Sequence, residues 1–560
     1  MLSRLVKIIH AIRHLKPIQL YGQLRNRIVA KMFSSGYWMK RGESVRLGEC
    51  VWNPACEFLP PGPQRNTTER MKEGFVSFLN VEKQLDWPFD WSSSDHTKLW
   101  EYNLHYFEYL FAFEYDDAKQ LVLDWIEKHR LARNACGWEP YPVSLRLMNW
   151  IANFYGRHRK QTTGDKEFET ALKRSLATQA EWLVYRLEYH LLANHYLENA
   201  AALAFVGSCF NGCDTKRWFQ IGTRILRKEL PEQILDDGTH FERSPMYHSR
   251  IVYLLKLLSD TGNEELRKTV ESFYQRTVTA LAKLCHPDGE IALFNDAAFG
   301  IYNPPGQFCD FTGLSEAEVF ALPNAGYFGA RTQNGHYILC DAGEIGPTYN
   351  PGHAHGDMFS FELSFFGKRV IVDSGVYNYV VSPERKYSRS TAAHNTVEIN
   401  GKDQCELFDA FKVAHRARSR DVCFEKMPDG FRLSGWHDGY RGSIATCNRR
   451  LPSRAIHQRS FEWNHSGSLE MIDRIEASDE VEAVARFHLH PDCRIVEQKD
   501  NEITIGRESI LWNMRFSCGN IHVGRYDYSP EFGVKIPANV LEVSFRERTH
   551  ELKTICRVIG

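Results

Sequence analysis

The stretch Asn350–Gly375, NPGHAHGDMFSFELSFFGKRVIVDSG, carries two signals at once. Its second half reads as a strand pair. Phe359–Phe365 and Val370-Ile371-Val372 are short apolar runs separated by Phe366-Gly367-Lys368, a hairpin signal. Its first half sets His353, His355 and Asp357 at alternating positions of an extended segment. Side chains so spaced point the same way about 6–7 Å apart, so His353 and His355 can serve one centre or two adjacent ones.

Outward from this stretch the texture differs on its two sides. After Pro323 come short alternating runs such as Tyr337-Ile338-Leu339 and Val397-Glu398-Ile399, with Asn400-Gly401 as a type I′ turn signal. Before it, from about Trp100 to Leu284, apolar residues recur at three and four, as in Leu172–Leu192 and Ile251–Leu258. Helices first and antiparallel sheet second define an α+β chain of two parts with a cleft between them. The expected division is 1–95, a basic N-terminal helix and extended lead-in; 96–322, helical; and 323–560, sheet.

Length and charge bound the function. At 560 residues the chain is too long for one core. Lys+Arg at 69 against Asp+Glu at 70 argues against a nucleic-acid binder. An aromatic content of 13% suits amphipathic sugar clefts, although a large core accounts for much of it. The 14 cysteines form no C-x-x-C pair, which excludes a zinc ribbon or disulfide scaffold. No run reaches the roughly 18 apolar residues of a membrane span. The amino terminus interrupts its apolar residues with charges, unlike a secretory signal, so a cytoplasmic protein is expected, with the periplasm as the alternative. Met1–Arg41 holds nine Lys/Arg and no acidic residue, with Leu2, Leu5, Val6, Ile9 and Ile12 at helical spacing. That pattern fits a basic helix on an anionic membrane face, or one packed on its own domain.

Polar residues inside apolar segments are the candidates for chemistry. In LEYHLLANHYLENAAALAF, His190 and Asn194 lie four apart on one helix face with His195 beside them, which reads as interhelical hydrogen bonding or a site. In LDDGTHFERSPMYHSRIVYLLKLL, Asp236-Asp237-Gly238 makes a turn, and Tyr247-His248 open a long apolar helix. H-x-H-x-D invites a two-metal hydrolase, but Asp357 is followed by Met358 and not by His. A single-metal set of His and Asp from neighbouring strand ends reads better, because Asp373 follows a VIV run and His394 precedes TVEI.

The block HAHGDMFSFELSFFGKRVIVDSGVYNY through ERKYSRSTAAHNTVEINGKDQCELFDAFKVAHRA resembles the heparinase II/III-like domain of polysaccharide lyases. WEYNLHYFEYLF, GWEPYPVSLRLMNWI, LLANHYLENAAALAF, DDGTHFERSPMYHSRIVYLL and PDGEIALFNDAAFG resemble the helical half of the same proteins, in the same order, and RFHLHP adds a weaker likeness. The resemblance implies an incomplete α/α toroid followed by an antiparallel β-sandwich, with an acidic polysaccharide running between them. The implied reaction is β-elimination at a uronic acid.

On that resemblance Asn194 and His353 match the positions that neutralise the uronate carboxylate, and Tyr247 matches the catalytic tyrosine. His195 and His248 become candidate bases for the other C5 epimer. His355, Asp373 and His394 match ligands of a structural zinc. Signal-less members of this type imply a setting in exopolysaccharide or lipopolysaccharide assembly. A uronyl C5-epimerase and a noncatalytic polysaccharide-binding or assembly protein are the alternatives. Arg146, Arg243 and Arg250 read either as sulfate contacts or as solvated helix faces. The uronic acid, its linkage and the oligomeric state are not legible.

Overall fold

A computed structural model describes residues 2–33, 44–52, 62, 65–91, 96–131, 135–310, 316–441 and 454–559, with the side chains of 2–5, 30–33 and 547–550 outside that description. Its first half is a series of antiparallel helices, among them Pro140–Ile151, Lys166–Arg186, Ala193–Cys209, Cys213–Gln233, Pro245–Ser259 and Glu264–Lys283. Side-chain caps set several starts. Asp165 accepts from Phe168 N, Ser244 from Tyr247 N and Asn263 from Leu266 N, each satisfying an amide that the first turn leaves unpaired. The lead-in is not separate from this unit: Trp52, Met71 and Val76 are buried in the same core as Trp125, Trp150 and Leu203.

Among the described residues the second half holds two large antiparallel sheets and a short two-stranded pair, Leu407–Phe408 with Lys412–Val413. Five strands, Glu318–Leu322, Tyr327–Arg331, Tyr337–Asp341, Ser360–Phe365 and Lys368–Ile371, pair in chain order as a meander. Its first strand already pairs before the boundary expected at 323. The second sheet is ten-stranded and includes Ala455–Asn464, Ser468–His488 and Ile536–Val558. The expected turns are present. Phe366 and Gly367 join Phe365 to its partner Lys368 with positive φ at both, and Asn400-Gly401 does the same.

The small sheet is a middle layer. Along Tyr337–Asp341, Tyr337 and Leu339 pack on Ala280 and Leu284 of the helical half, whereas Ile338 and Cys340 join the core shared with the large sheet. Strict alternation sends successive side chains to opposite faces, so a strand covered on both sides is buried throughout. This layer fixes the end of the helical half against the HAHGD segment.

One reading of the helices needs correction. His190 and Asn194 do not share a helix face. The helix from Lys166 ends at Arg186, and the next begins at Ala193 after Leu192 and Ala193 take positive φ. Asn194 therefore stands at a helix start, and His190 lies in the connection, 3.1 Å from Asn26 Nδ2 through its Nδ1.

Candidate active site

Asp296 organises the site. Its two oxygens take four contacts: His353 Nδ1 at 2.9 Å, His355 Nε2 at 2.8 Å, and both terminal nitrogens of Arg385. All of this is buried except the edge of His353. Burial alone would raise the Asp296 pKa, but the Arg385 charge and the two histidine hydrogen bonds outweigh it and hold the carboxyl well below its ordinary value. An ionised Asp296 accepting at Nδ1 leaves His353 Nε2 to face the cleft.

Tyr247 reaches the same place from the helical half. Its ring lies 4.0 Å from the His353 ring, centroid to centroid, and its hydroxyl is 3.4 Å from that of Tyr379. Ser244, which caps the Tyr247 helix, donates its hydroxyl to the Asp296 carbonyl at 2.5 Å. Burial, then the neighbouring phenols of Tyr379 and Tyr302, holds Tyr247 well above the usual tyrosine pKa.

Asn194 joins through Glu242. Glu242 Oε1 accepts from Asn194 N at 3.2 Å, and Oε2 lies 3.7 Å from His353 Nε2 with no hydrogen bond of its own. Burial raises the Glu242 pKa despite the histidine nearby. Leu192, Ala193, Arg243 and Asn295 take positive φ beside these residues. Such conformations cost about 1–3 kcal/mol each and persist where the surroundings over-determine them.

Of the other expected bases, His195 stays partly exposed next to Asn194 and His248 is fully buried. His195 lies with its ring 4.4 Å from that of Tyr141, tilted by 39°, and pairs through Nδ1 with Glu188 at 3.1 Å. Burial pulls its pKa down, and Glu188 more than offsets that, for a net rise. His248 is fully buried and both ring nitrogens are committed, Nδ1 accepting from His240 N and Nε2 donating to the Thr277 carbonyl. Burial lowers it to about 4, so it serves as a neutral structural link.

Neither reading of Arg146 and Arg250 holds. Arg146 is buried, bonded to Gln179 and to the carbonyls of His105 and Gly137, and lies 4.1 Å over Trp125. Arg250 forms a buried two-bond pair with Glu198. Arg243 donates to the carbonyls of Glu344 and Asn324.

The proposed zinc ligands lie directly behind His353. His355 Nδ1 and His394 Nε2 are both buried without a hydrogen-bond partner, on rings 5.3 Å apart. Bare imidazole nitrogens in a dry interior suit zinc. Asp373 bonds His394 Nδ1 at 2.6 Å, the pairing that orients a metal-binding imidazole. Among the described residues no three His, Cys, Asp or Glu donors already converge on one point. The arrangement thus fits two nitrogen donors with Asp373 behind one of them, and a closed three-ligand shell is not formed.

Sequence reasoning passed over Asp296, Glu242, Tyr379, Arg385 and Phe411. Phe411 is 41% exposed and lies 6.1 Å from His353 and 5.2 Å from Tyr379, an aromatic wall of the cleft. The available signal was an acid inside the apolar phrase ALFNDAAFG and an aromatic inside DAFKV.

Residues 72–302 match the family described as Heparinase II/III N-terminus, and residues 315–557 match Heparinase II/III-like, C-terminal. The chain belongs to the heparinase II/III family. It is 25% identical over 397 residues to a heparin-sulfate lyase of Bacteroides stercoris, covering 60% of this chain and 59% of that protein. A heparin-sulfate lyase of Pedobacter heparinus is 25% identical over 388 residues, covering 63% and 54%. The chain thus spans a little over half the length of these relatives. The fold matches that of a heparan sulfate lyase HepC mutant from Pedobacter heparinus, with TM-score 0.61, 17% identity and coverage of 95% and 88%. It also matches Heparinase III, with TM-score 0.66, 17% identity and coverage of 84% and 79%. The expected order, helical toroid and then antiparallel sandwich, is the observed one.

Proposed function

We propose that this protein is a polysaccharide lyase that cleaves a uronic-acid-containing polymer by β-elimination. The carrying observation is the meeting of Tyr247 and His353 across the two halves, with Glu242 linking His353 to Asn194. A uronate C5 proton is hard to remove because the adjacent carboxylate is already negative. The Asn194 side-chain amide and, as an imidazolium whose other N–H is held by Asp296, His353 Nε2 meet that carboxylate, and the charge that develops on it strengthens their hydrogen bonds. One preorganised donor of this kind contributes about 3–4 kcal/mol in the transition state. Burial raises the Glu242 pKa, which favours the protonated form that would add a further donor.

Tyr247 as phenolate takes the C5 proton. As phenol it then returns that proton to O4 while the C4–O4 bond breaks and a C4–C5 double bond forms, regenerating the phenolate. Zinc held by His355 and His394, with Asp373 oriented behind, would fix the cleft wall that carries His353 and takes no part in these transfers. The names of the relatives favour a glycosaminoglycan-like substrate. A setting in exopolysaccharide or lipopolysaccharide assembly is part of this reading and rests on the family resemblance alone.

His195, paired with Glu188, supports a second reading. A C5-epimerase needs a proton donor besides Tyr247, and His195, whose pKa Glu188 raises, is the candidate. Incubation with heparan-type polymers, alginate and bacterial capsular polymers separates the readings. New ultraviolet absorbance from an unsaturated uronate marks the lyase. Solvent deuterium at C5 without cleavage marks the epimerase. Neither signal from any acidic polymer leaves a binding protein.

A further inference from the structure

The helix Pro17–Phe33 is built inside out. Gln19 is buried and its Nε2 faces the carbonyls of His190, Leu191 and Tyr349 at 3.4–3.5 Å. Gly22 sits so close that a Cβ there would lie 2.6 Å from His190 N. Val29 is buried on the same side. The opposite stripe is aliphatic: Leu20, Leu24 and Ile28 are 50%, 58% and 52% exposed. A helix covering a globular core turns its apolar stripe inward, so this one leaves its apolar side for something else. Ile9 and Ile12 of the preceding helix, Leu2–Ile12, are likewise about half exposed.

Cations dominate beside this stripe, although Lys16 pairs with Glu232 at the head of the helix and Asp438 accepts from Arg418 N. No acidic residue occurs between Met1 and Arg41. Leu2–Ile12 packs against the strand Lys412–Val413, which brings Arg13 near Arg416 and Arg418. Among the described residues none of these three guanidiniums pairs with a carboxylate, and Arg416 Nε is buried with no partner. Burial, then Arg13, lowers Arg416 to about 10, as expected of crowded cations without a counter-ion.

We propose that the outward face of Pro17–Phe33, together with Ile9, Ile12, Arg13 and Arg418, docks this protein onto an anionic lipid bilayer. Aliphatic side chains rimmed by cations suit lipid acyl and phosphate layers together. A second copy is a poor occupant, because a two-fold contact would set the same cations against one another. Gln19 also ties the helix to Tyr349, in the loop that runs into His353. Docking on this face therefore holds the cleft beside the bilayer.

The test uses the full chain sedimented with vesicles of phosphatidylcholine alone or mixed with phosphatidylglycerol. Binding at least tenfold stronger to the anionic vesicles is expected, weakening as salt shortens the screening length from about 10 Å at 0.1 M. Leu24→Glu with Ile28→Glu, both on exposed positions, should abolish binding without moving the unfolding temperature. Arg13→Gln and Arg418→Gln should each weaken it about fivefold. Equal binding to both vesicles, no binding, or unaltered binding by the glutamate variant would overturn the proposal. So would light scattering that shows a dimer split by Leu24→Glu with Ile28→Glu.

Discussion

Tyr247 and His353 lie ring to ring across the boundary between the two halves, 4.0 Å apart with their planes at 33°. Neither half holds a site alone. Ser244, at the start of the Tyr247 helix, bonds the backbone of Asp296, and the Asp296 side chain holds His353. One residue thus sets the spacing of the proposed base and the proposed carboxylate-binding group.

Tyr247→Phe keeps the ring and removes the proton carrier. The contact it loses, 3.4 Å to Tyr379, is long, so stability should fall by less than about 1 kcal/mol. Cleavage should fall by about 10²–10⁴-fold, read as the rate of ultraviolet appearance. A variant that cleaves at the wild-type rate removes Tyr247 from the chemistry.

Asp296→Asn should be costly for the fold as well as the site. Arg385 would be left buried without its counter-charge, and breaking such a pair costs about 3–5 kcal/mol. Urea unfolding should show a lower midpoint, and cleavage should fall with it because His353 loses the charged acceptor that holds its Nδ1–H. An unchanged midpoint would mean that Asp296 is not the hub.

Much of this site is legible from spacing and resemblance, and some is not, for physical reasons. Tyr247 and His353 stand in motif phrases whose order survives. Asn194 was singled out as a polar residue in an apolar run, but the helix break before it depends on positive φ at Leu192 and Ala193, which ordinary side chains disguise. His248 beside Tyr247 reads like a second catalytic group. One step along a helix turns a side chain by about 100°, and that step sends it to Thr277. Arg146 and Arg250 look solvated because arginine usually is, and only tertiary pairing shows otherwise. Asp296 is a lone acid in an apolar phrase, and its partners come from far along the chain.

Cleavage should rise with pH. Burial and the nearby phenols disfavour ionisation of Tyr247, so the free protein near neutrality holds it as phenol. The base is the phenolate, whose fraction grows about tenfold per pH unit below its pKa. The logarithm of kcat/KM should climb with slope near one toward alkaline pH. A profile flat through this range is incompatible with Tyr247 as base.

Zinc should be measurable without any substrate. Purified protein should carry one metal ion by mass spectrometry, and His355→Ala or His394→Ala should lose it. Free metal at a hundredfold over its dissociation constant stabilises by about 3 kcal/mol, so a chelator should lower the unfolding temperature. A folded, metal-free protein indifferent to chelator would remove the zinc.

The large sheet buttresses the site through Asp473, and acid should expose this. Arg459 donates to both Asp473 oxygens, at 2.6 and 3.0 Å, and His457 Nε2 lies 2.7 Å away. Arg459 also holds the carbonyls of Phe359 and Asn395, which flank the HAHGD segment and His394. Burial works against ionised Asp473, but Arg459 and His457 prevail and lower its pKa to about 2. A carboxyl whose folded pKa lies below its unfolded value of about 3.9 stabilises fully above the latter and loses that contribution as pH falls through the former. About 2–3 kcal/mol should therefore disappear between roughly pH 4 and pH 2. Urea unfolding of wild type and Asp473→Asn should show the wild-type advantage shrinking across that window. An advantage that stays constant down to about pH 2 would mean that the Asp473 charge contributes nothing to the fold.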